Sequence, residues 1–278
     1  MNRAPLVFLK LGGALLTHKD RNASARLDDL RRLAAEIAPL WRERSIRLVL
    51  GHGSGSFAHV AARQSGFLDR PDDPLAFAQV AAAARDLSAL VVRALLDEGL
   101  PALMLPGGLL AACENGEAVD LRTELVAGAL ARGLLPVTYG DAAPRRGLGG
   151  GIVSTEPLLA ALARDLRPAR LILATDVDGV YADGPPAAER PAARPIPRIL
   201  AADWPALEPR LAAARPGVVD VTGGMASKVR QMLALADALP QMEIRILSGL
   251  RPGAVAAALR GDPEAGGTLI AGHPVASD

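Results

Sequence analysis

The sequence predicts an α/β fold in which a mainly parallel sheet is covered by helices on both faces. Two observations point there. Short unbroken apolar runs alternate with longer stretches of helical spacing, and glycines and polar residues gather directly after the runs. A strand buried on both faces needs no polar alternation, so such runs read as strands of a parallel sheet. The 278 residues suffice for one large domain or two small ones, with ample length to bury a core.

Taken in order, residues 6–9 read as the first strand. Residues 28–41 have helical spacing through Leu30, Leu33, Ile37 and Leu40, and residues 46–50 form the second strand. An Ala-rich helix follows over 74–96, a third strand over 101–105, a helix near 123–132 and a fourth strand over 134–137. The same alternation continues with a helix near 157–164, a strand over 171–174, a helix near 225–238 and a strand over 244–247. The Pro-rich stretch 184–197 reads as a surface excursion between a strand and a helix, not as a domain linker. No internal repeat is visible.

The composition sets outer bounds. Half of the residues are apolar, 22% are charged, and the formal net charge is +1. Charges of both signs are spread along the chain, which gives no electrostatic argument for nucleic acid or an anionic membrane. No apolar run reaches the ~20 residues that span a bilayer, and the N-terminus does not resemble a signal peptide. Cys113 is the sole cysteine, which excludes an internal disulfide and fits a reducing cytoplasm.

Open α/β sheets bind ligands at the carboxyl ends of their strands, so the residues there carry the functional reading. Lys10-Leu11-Gly12-Gly13 follows the first strand, and Gly51-His52-Gly53-Ser54-Gly55-Ser56-Phe57-Ala58-His59 follows the second. Gly140-Asp141 follows the fourth and Thr175-Asp176-Val177-Asp178-Gly179 the fifth. A glycine turn between strand and helix frees backbone N–H groups to face an anion, and the helix N-terminus adds partial positive charge. One Gly-Gly is an ordinary tight turn; two such loops on one sheet edge could hold two phosphates face to face.

The standard phosphate motifs fail. No G-x-x-x-x-G-K-[ST] is present. Residues 53–58 match G-x-G-x-x-A, but the acidic residues at the right spacing, Asp72 and Asp73, lie in a segment between prolines that cannot be a central strand. A nicotinamide-dependent oxidoreductase is therefore the distant alternative. Only three of the 31 basic residues are lysine, and Lys10, Lys19 and Lys228 all lie beside glycine-rich turns. Phosphoryl transfer needs positive charge on the bridging and moving oxygens and little else from the protein. His52 and His59, with no third ligand nearby, make a poor metal site.

These segments resemble the isopentenyl phosphate kinase family of the amino acid kinase superfamily. Lys10-Leu11-Gly12-Gly13-Ala14-Leu15-Leu16-Thr17-His18-Lys19 is similar to K-L-G-G-S-x-x-T-x-K, and residues 52–59 to H-G-x-G-S-F-G-H. Gly140-Asp141, Thr175-Asp176-Val177-Asp178-Gly179-Val180-Tyr181 and Asp220-Val221-Thr222-Gly223-Gly224-Met225-Ala226-Ser227-Lys228 continue the match in order. The resemblance implies a single amino-acid-kinase-like domain over 1–278, a three-layer α/β/α sandwich. Its N-terminal half (about 1–165) would bind the acceptor and its C-terminal half (about 166–278) ATP. It implies ATP and Mg2+ as cofactors, a small prenyl phosphate as acceptor, and a homodimer.

The resemblance also implies residue roles. Lys10 and Lys228 would contact ATP phosphates and Lys19 the phosphoryl group in flight. Gly12, Gly13 and Gly55 would supply backbone donors, and Asp176, Asp178, Gly179, Tyr181 and Gly223 would surround the nucleotide. His59 would hydrogen-bond the acceptor phosphate, with backbone help from Ser54 and Gly55. An acceptor phosphate is already ionised at neutral pH, so the site needs cations and donors in place of a general base. Two departures bear on the acceptor end: Ala14 replaces a serine, and Ser154-Thr155-Glu156 stands where S-G-D is common, bringing a β-carbon at Thr155 close to the expected substrate position. Small residues 81–84 would leave a roomier acceptor pocket. A kinase for another small phosphate or phosphonate, such as fosfomycin or a furan-methyl phosphate, is the nearer alternative. A regulatory binder without catalysis is a third, opposed by Lys10, Lys19, His59 and Lys228.

Overall fold

The computed structural model describes residues 4–18, 23–147, 149–186, 192–213 and 224–273. Strand β1 (Leu6–Leu11) is buried along its whole length, as an unbroken apolar run at a sheet centre should be. It is followed by the single turn α1 (Gly13–Leu16), helix α2 (Leu27–Arg42), strand β2 (Arg47–His52) and helix α3 (Gly55–Gln64). Helix α4 (Pro74–Asp97) leads to β3 (Ala102–Met104), the turn α5 (Gly107–Leu110), and a hairpin of β4 (Ala112–Glu114) and β5 (Glu117–Val119). Then come α6 (Thr123–Ala131), β6 (Leu135–Tyr139), and a second hairpin of β7 (Asp141–Pro144) and β8 (Gly150–Val153). The remainder is α7 (Thr155–Leu166), β9 (Arg170–Thr175), β10 (Arg198–Leu200), α8 (Trp204–Ala213), α9 (Gly224–Ala238), β11 (Glu243–Ser248), α10 (Ala254–Arg260) and β12 (Thr268–Ala271).

Eight strands form the central sheet in the order β10-β12-β11-β9-β1-β2-β6-β3. The pairs from β11 through β3 are parallel, and β12 runs antiparallel to β11. Successive residues of β1 point to opposite faces. Val7 and Leu9 pack with α2, α4 and α10, whereas Phe8 packs with α6, α7, α8 and α9. The result is the three-layer α/β/α arrangement with a mainly parallel sheet that the sequence predicts. Leu33, Ile37 and Leu40 of α2 have no exposed surface, and burying each such side chain contributes about 2 kcal/mol.

Every strand and helix read from periodicity is present, with ends within a few residues. The sequence pattern does not reveal the two hairpins, β10 or β12, because strands of three or four residues carry too little pattern, nor the shorter helices α1, α3, α5, α8 and α10. Helix α4 begins where its cap dictates: Asp73 Oδ1 accepts from the amides of Leu75 (2.9 Å) and Ala76 (3.2 Å), with Pro74 in the first turn. The approach to that cap is turns, with no strand at Asp72, which removes the acidic strand end a dinucleotide motif requires. By length and apolar composition alone α4 could cross a bilayer, but its inner face is buried on the sheet and α3 through Val80, Ala84, Leu87 and Val91.

Candidate active site

The carboxyl edge of the sheet gathers the loops after β1, β2, β6, β9 and β11. Backbone hydrogen bonds continue past the strand ends and hold the loops side by side. Gly12 N donates to Ala174 O (2.8 Å), Gly53 N to Leu11 O (2.9 Å) and Gly249 N to Thr175 O (2.8 Å). Strand β1 is the point where connections change direction, with β2 on one side and β9 on the other; that is where this class of sheet opens a crevice.

The two glycine loops predicted to hold phosphates touch each other. A β-carbon on Gly13 would lie 2.7 Å from the Gly55 backbone, and one on Gly53 would lie 2.8 Å from Gly13 N. Side chains at these positions would drive the loops apart. Gly55 also has φ of +51°, a conformation that suits glycine. Thr17 ties the loops from the side: its hydroxyl donates to Gly13 O (2.9 Å) and accepts from Ser56 N (3.0 Å). Sequence reasoning quoted Thr17 in its motif without giving it a role.

Lys10 and Lys228 converge on one atom. Each ammonium donates to Glu156 Oε1 at 2.8 Å. Lys10 comes from the end of the central strand, where only 7% of its side chain is exposed, and Lys228 from the first turns of α9. Glu156 stands in the first turn of α7, a favourable place for an anion. Burial raises the Glu156 carboxyl, but the charges of Lys10 and then Lys228 outweigh it and hold the group well below the usual carboxylate range. The sequence reading set Glu156 among departures at the acceptor end. Its carboxylate instead holds both lysines assigned to ATP phosphates, and the acidic residue opening a helix at a strand edge was the available signal.

Deeper in the edge lies a polar cluster. His52 is fully buried and stacks on Tyr139, with ring centroids 5.2 Å apart. Its Nδ1 donates to Gly53 O (3.2 Å), and Nε2 has no hydrogen-bond partner. Burial pushes the imidazole down to about 4, with the Lys10 charge adding to the shift, so it is neutral at pH 7. Asp141 is 2% exposed, and its Oδ2 accepts from Gly108 N (3.3 Å). Burial pushes its carboxyl up to about 6, and the amides of Gly108 and Ala142 oppose this. Neither group had been assigned a role from the sequence.

Ser54 and Thr155 spend their hydroxyls on the two sides of one residue, Gly140. Ser54 donates to Gly140 O, while Thr155 accepts from Gly140 N (2.9 Å) and donates to His52 O (2.7 Å). His59 sits on α3, half-buried. After β9, Asp176 accepts from the Thr175 hydroxyl (3.2 Å), and burial together with Asp178 raises the Tyr181 phenol. Thr268 holds this segment: its hydroxyl accepts from Val180 N (2.8 Å) and donates to Ile196 O (2.6 Å), and a β-carbon on Gly179 would lie 2.7 Å from it. Lys19 and Gly223 lie outside the described residues. Ala81 and Ala84 are buried with Ala58, Ala62 and Tyr139, where their small size lets α4 approach α3.

The fold is a mainly parallel sheet with two glycine loops in contact, beside two lysines gathered on one carboxylate. The chain belongs to the amino acid kinase family, whose pattern it matches over residues 5–248. It is 33% identical to the isopentenyl phosphate kinase of Methanothermobacter thermautotrophicus, over 96% of this chain and 99% of that protein. It is also 33% identical to the isopentenyl phosphate kinase of Haloferax volcanii, over 83% and 88%. A crystal structure of an isopentenyl phosphate kinase superposes with a TM-score of 0.77 at 31% identity, over 95% of this chain and 99% of that one. The carbamate kinase of Giardia lamblia, at 15% identity and a TM-score of 0.69, shares the fold.

Proposed function

We propose that this chain transfers the γ-phosphoryl group of ATP to the phosphate of isopentenyl phosphate, giving isopentenyl diphosphate and ADP. The observation that carries the reading is the backbone contact between the loop after β1 and the loop after β2, Gly13 against Gly53 and Gly55. This contact supports a reading in which the two loops cradle a donor and an acceptor phosphate edge to edge. The near full-length similarity to isopentenyl phosphate kinases supports the acceptor.

In this reading an oxygen of the acceptor phosphate attacks the γ-phosphorus, the bond to the β–γ bridging oxygen breaks, and ADP leaves. Gly13 and Gly55 offer amides to the nucleotide phosphates, and Lys10 and Lys228 offset the charge on them; Gly12, expected from the sequence to be a third donor, spends its amide on Ala174 O and serves the turn instead. Asp176, Asp178, Gly179, Tyr181 and Gly223 frame the nucleotide, and Lys19 accompanies the moving phosphoryl group. Gly55, His59 and the backbone of Ser54 form the acceptor end, with His59 donating to the acceptor phosphate; Thr155, expected there from the sequence, is 2% exposed with its hydroxyl spent on Gly140 and His52, so it supports that end from behind. Glu156 joins the lysines as the residue that positions them.

Among the described residues no three His, Cys, Asp or Glu side chains converge on a metal position, and Glu156 is committed to two lysines. That donor set suits Mg2+ arriving on the nucleotide and held mainly by phosphate oxygens and water, where it would neutralise phosphate charge. A cytoplasmic homodimer completes the proposal. The exposed Leu96 of α4 and Leu103 on the edge strand β3 support a second copy there. The test is His59→Ala. The acceptor KM should rise and kcat/KM fall by about a hundredfold; a near-normal value would mean that another group holds the acceptor.

A further inference from the structure

Thr155 departs from the glycine common at this place in the family it resembles, and its hydroxyl occupies an unusual position. The parallel ladder between β2 and β6 ends at the pair His52 and Tyr139. One step on, Gly140 N and His52 O are 3.4 Å apart, a long contact for an amide hydrogen bond. The Thr155 hydroxyl lies beside this long ladder bond and reinforces it, accepting from Gly140 N at 2.9 Å and donating to His52 O at 2.7 Å. It is 2% exposed, so water cannot take its place freely. Its methyl group meets Gly51, where a β-carbon would lie 2.9 Å from Thr155 Cγ2. The carbonyl of the same Gly140 accepts from the Ser54 hydroxyl.

We infer that Thr155 is a positioning residue whose hydroxyl, through Gly140 and His52 O, locks the acceptor loop to the carboxylate that holds the two lysines. One hydroxyl fixes three segments: the end of β2 leading into Gly53–His59, the end of β6, and the first turn of α7. The next residue on α7 is Glu156, which bridges Lys10 and Lys228. Ser54 closes the other side, so its hydroxyl is spent on Gly140 and its helix lacks a side-chain cap. The clamp therefore sets the distance between the acceptor phosphate and the cations on the donor phosphate. Displacements of an ångström there change rates by orders of magnitude.

This inference rests on the kinase reading above. The test compares Thr155→Val, which keeps the shape and removes the hydroxyl, with Thr155→Ser, which keeps the hydroxyl. Kinetics with ATP and isopentenyl phosphate are joined to amide hydrogen exchange. Thr155→Val should raise the acceptor KM about tenfold while the ATP KM stays within about twofold, and Thr155→Ser should recover to within about threefold of the parent. The Gly140 amide should exchange faster in Thr155→Val and not in Thr155→Ser. Unchanged kinetics and exchange in Thr155→Val, equal rises in both KM values, or a serine variant as poor as valine would overturn the clamp. If the parent protein leaves isopentenyl phosphate unphosphorylated, the functional reading fails, and Gly140 exchange still decides whether the hydroxyl holds the loops.

Discussion

Lys10 and Lys228 share a single oxygen: both ammonium groups donate to Glu156 Oε1 at 2.8 Å. Two like charges in a half-buried crevice repel strongly unless an anion sits between them. Glu156 thus holds the two lysines together; in the proposed reaction a nucleotide would meet a cationic pair already assembled.

Removing that anion should be costly. Glu156→Gln preserves size and should lower kcat by about a hundredfold, since the lysines lose their fixed separation. Glu156→Asp should retain more activity, because the charge remains on a shorter stem. The folded protein depresses this carboxyl, so its stabilisation is present above the ordinary carboxylate range and is lost as pH falls through the folded-state value. The stability advantage of the parent over Glu156→Gln should therefore shrink in acid, read from urea midpoints across pH. Parental activity in Glu156→Gln would show that the bridge does not position the lysines.

Loop contact gives a second prediction. Gly13→Ala would place a β-carbon 2.7 Å from Gly55 N and Cα, against backbone that cannot rotate away. It should destabilise the fold by about 1–3 kcal/mol and lower kcat/KM by a larger factor than the stability change explains. Thermal unfolding and steady-state kinetics on the same preparation separate the two effects.

His52 and Asp141 should give the stability profile opposite slopes. The His52 value falls from 6.5 unfolded to about 4 folded. Its contribution is therefore complete above pH 6.5 and lost as pH falls toward 4, up to about 3 kcal/mol. Asp141 rises from 3.8 to about 6. Its contribution is complete below about 3.8 and lost as pH rises through 6, by a similar amount of about 3 kcal/mol. Chemical denaturation between pH 4 and 8 should show His52→Phe less sensitive to acid than the parent. Asp141→Asn should gain on the parent as pH rises. Parallel profiles for all three proteins would contradict both assignments.

The sheet and its loops were legible because their signals are local. An unbroken run such as residues 6–9 announces a buried strand by itself, and Lys10-Leu11-Gly12-Gly13 announces the turn that follows. The three-residue strands β4 and β5 are too short to show a period, although the Asn115-Gly116 turn between them is a local hairpin signal, and the antiparallel β12 is not legible because its partners lie on separate elements. The same distinction runs through the site. Glycines and lysines stood out by type and neighbours, but the roles of Glu156 and Thr155 depend on groups far away in sequence. Glu156 could be placed in a helix's first turn, yet nothing local shows that two lysines end on it. The hydroxyl of Thr155 acquires its meaning only where β2 and β6 part.

The proposed reaction is phosphoryl transfer onto an acceptor that is itself a phosphate. The most direct measurement incubates the protein with ATP and Mg2+ against isopentenyl phosphate, dimethylallyl phosphate, fosfomycin and amino-acid acceptors, and identifies products by mass. Isopentenyl phosphate should yield isopentenyl diphosphate and ADP in equal amounts, with a kcat/KM above that of fosfomycin or any amino acid. No diphosphate from either prenyl phosphate, alongside turnover of another acceptor, would contradict it.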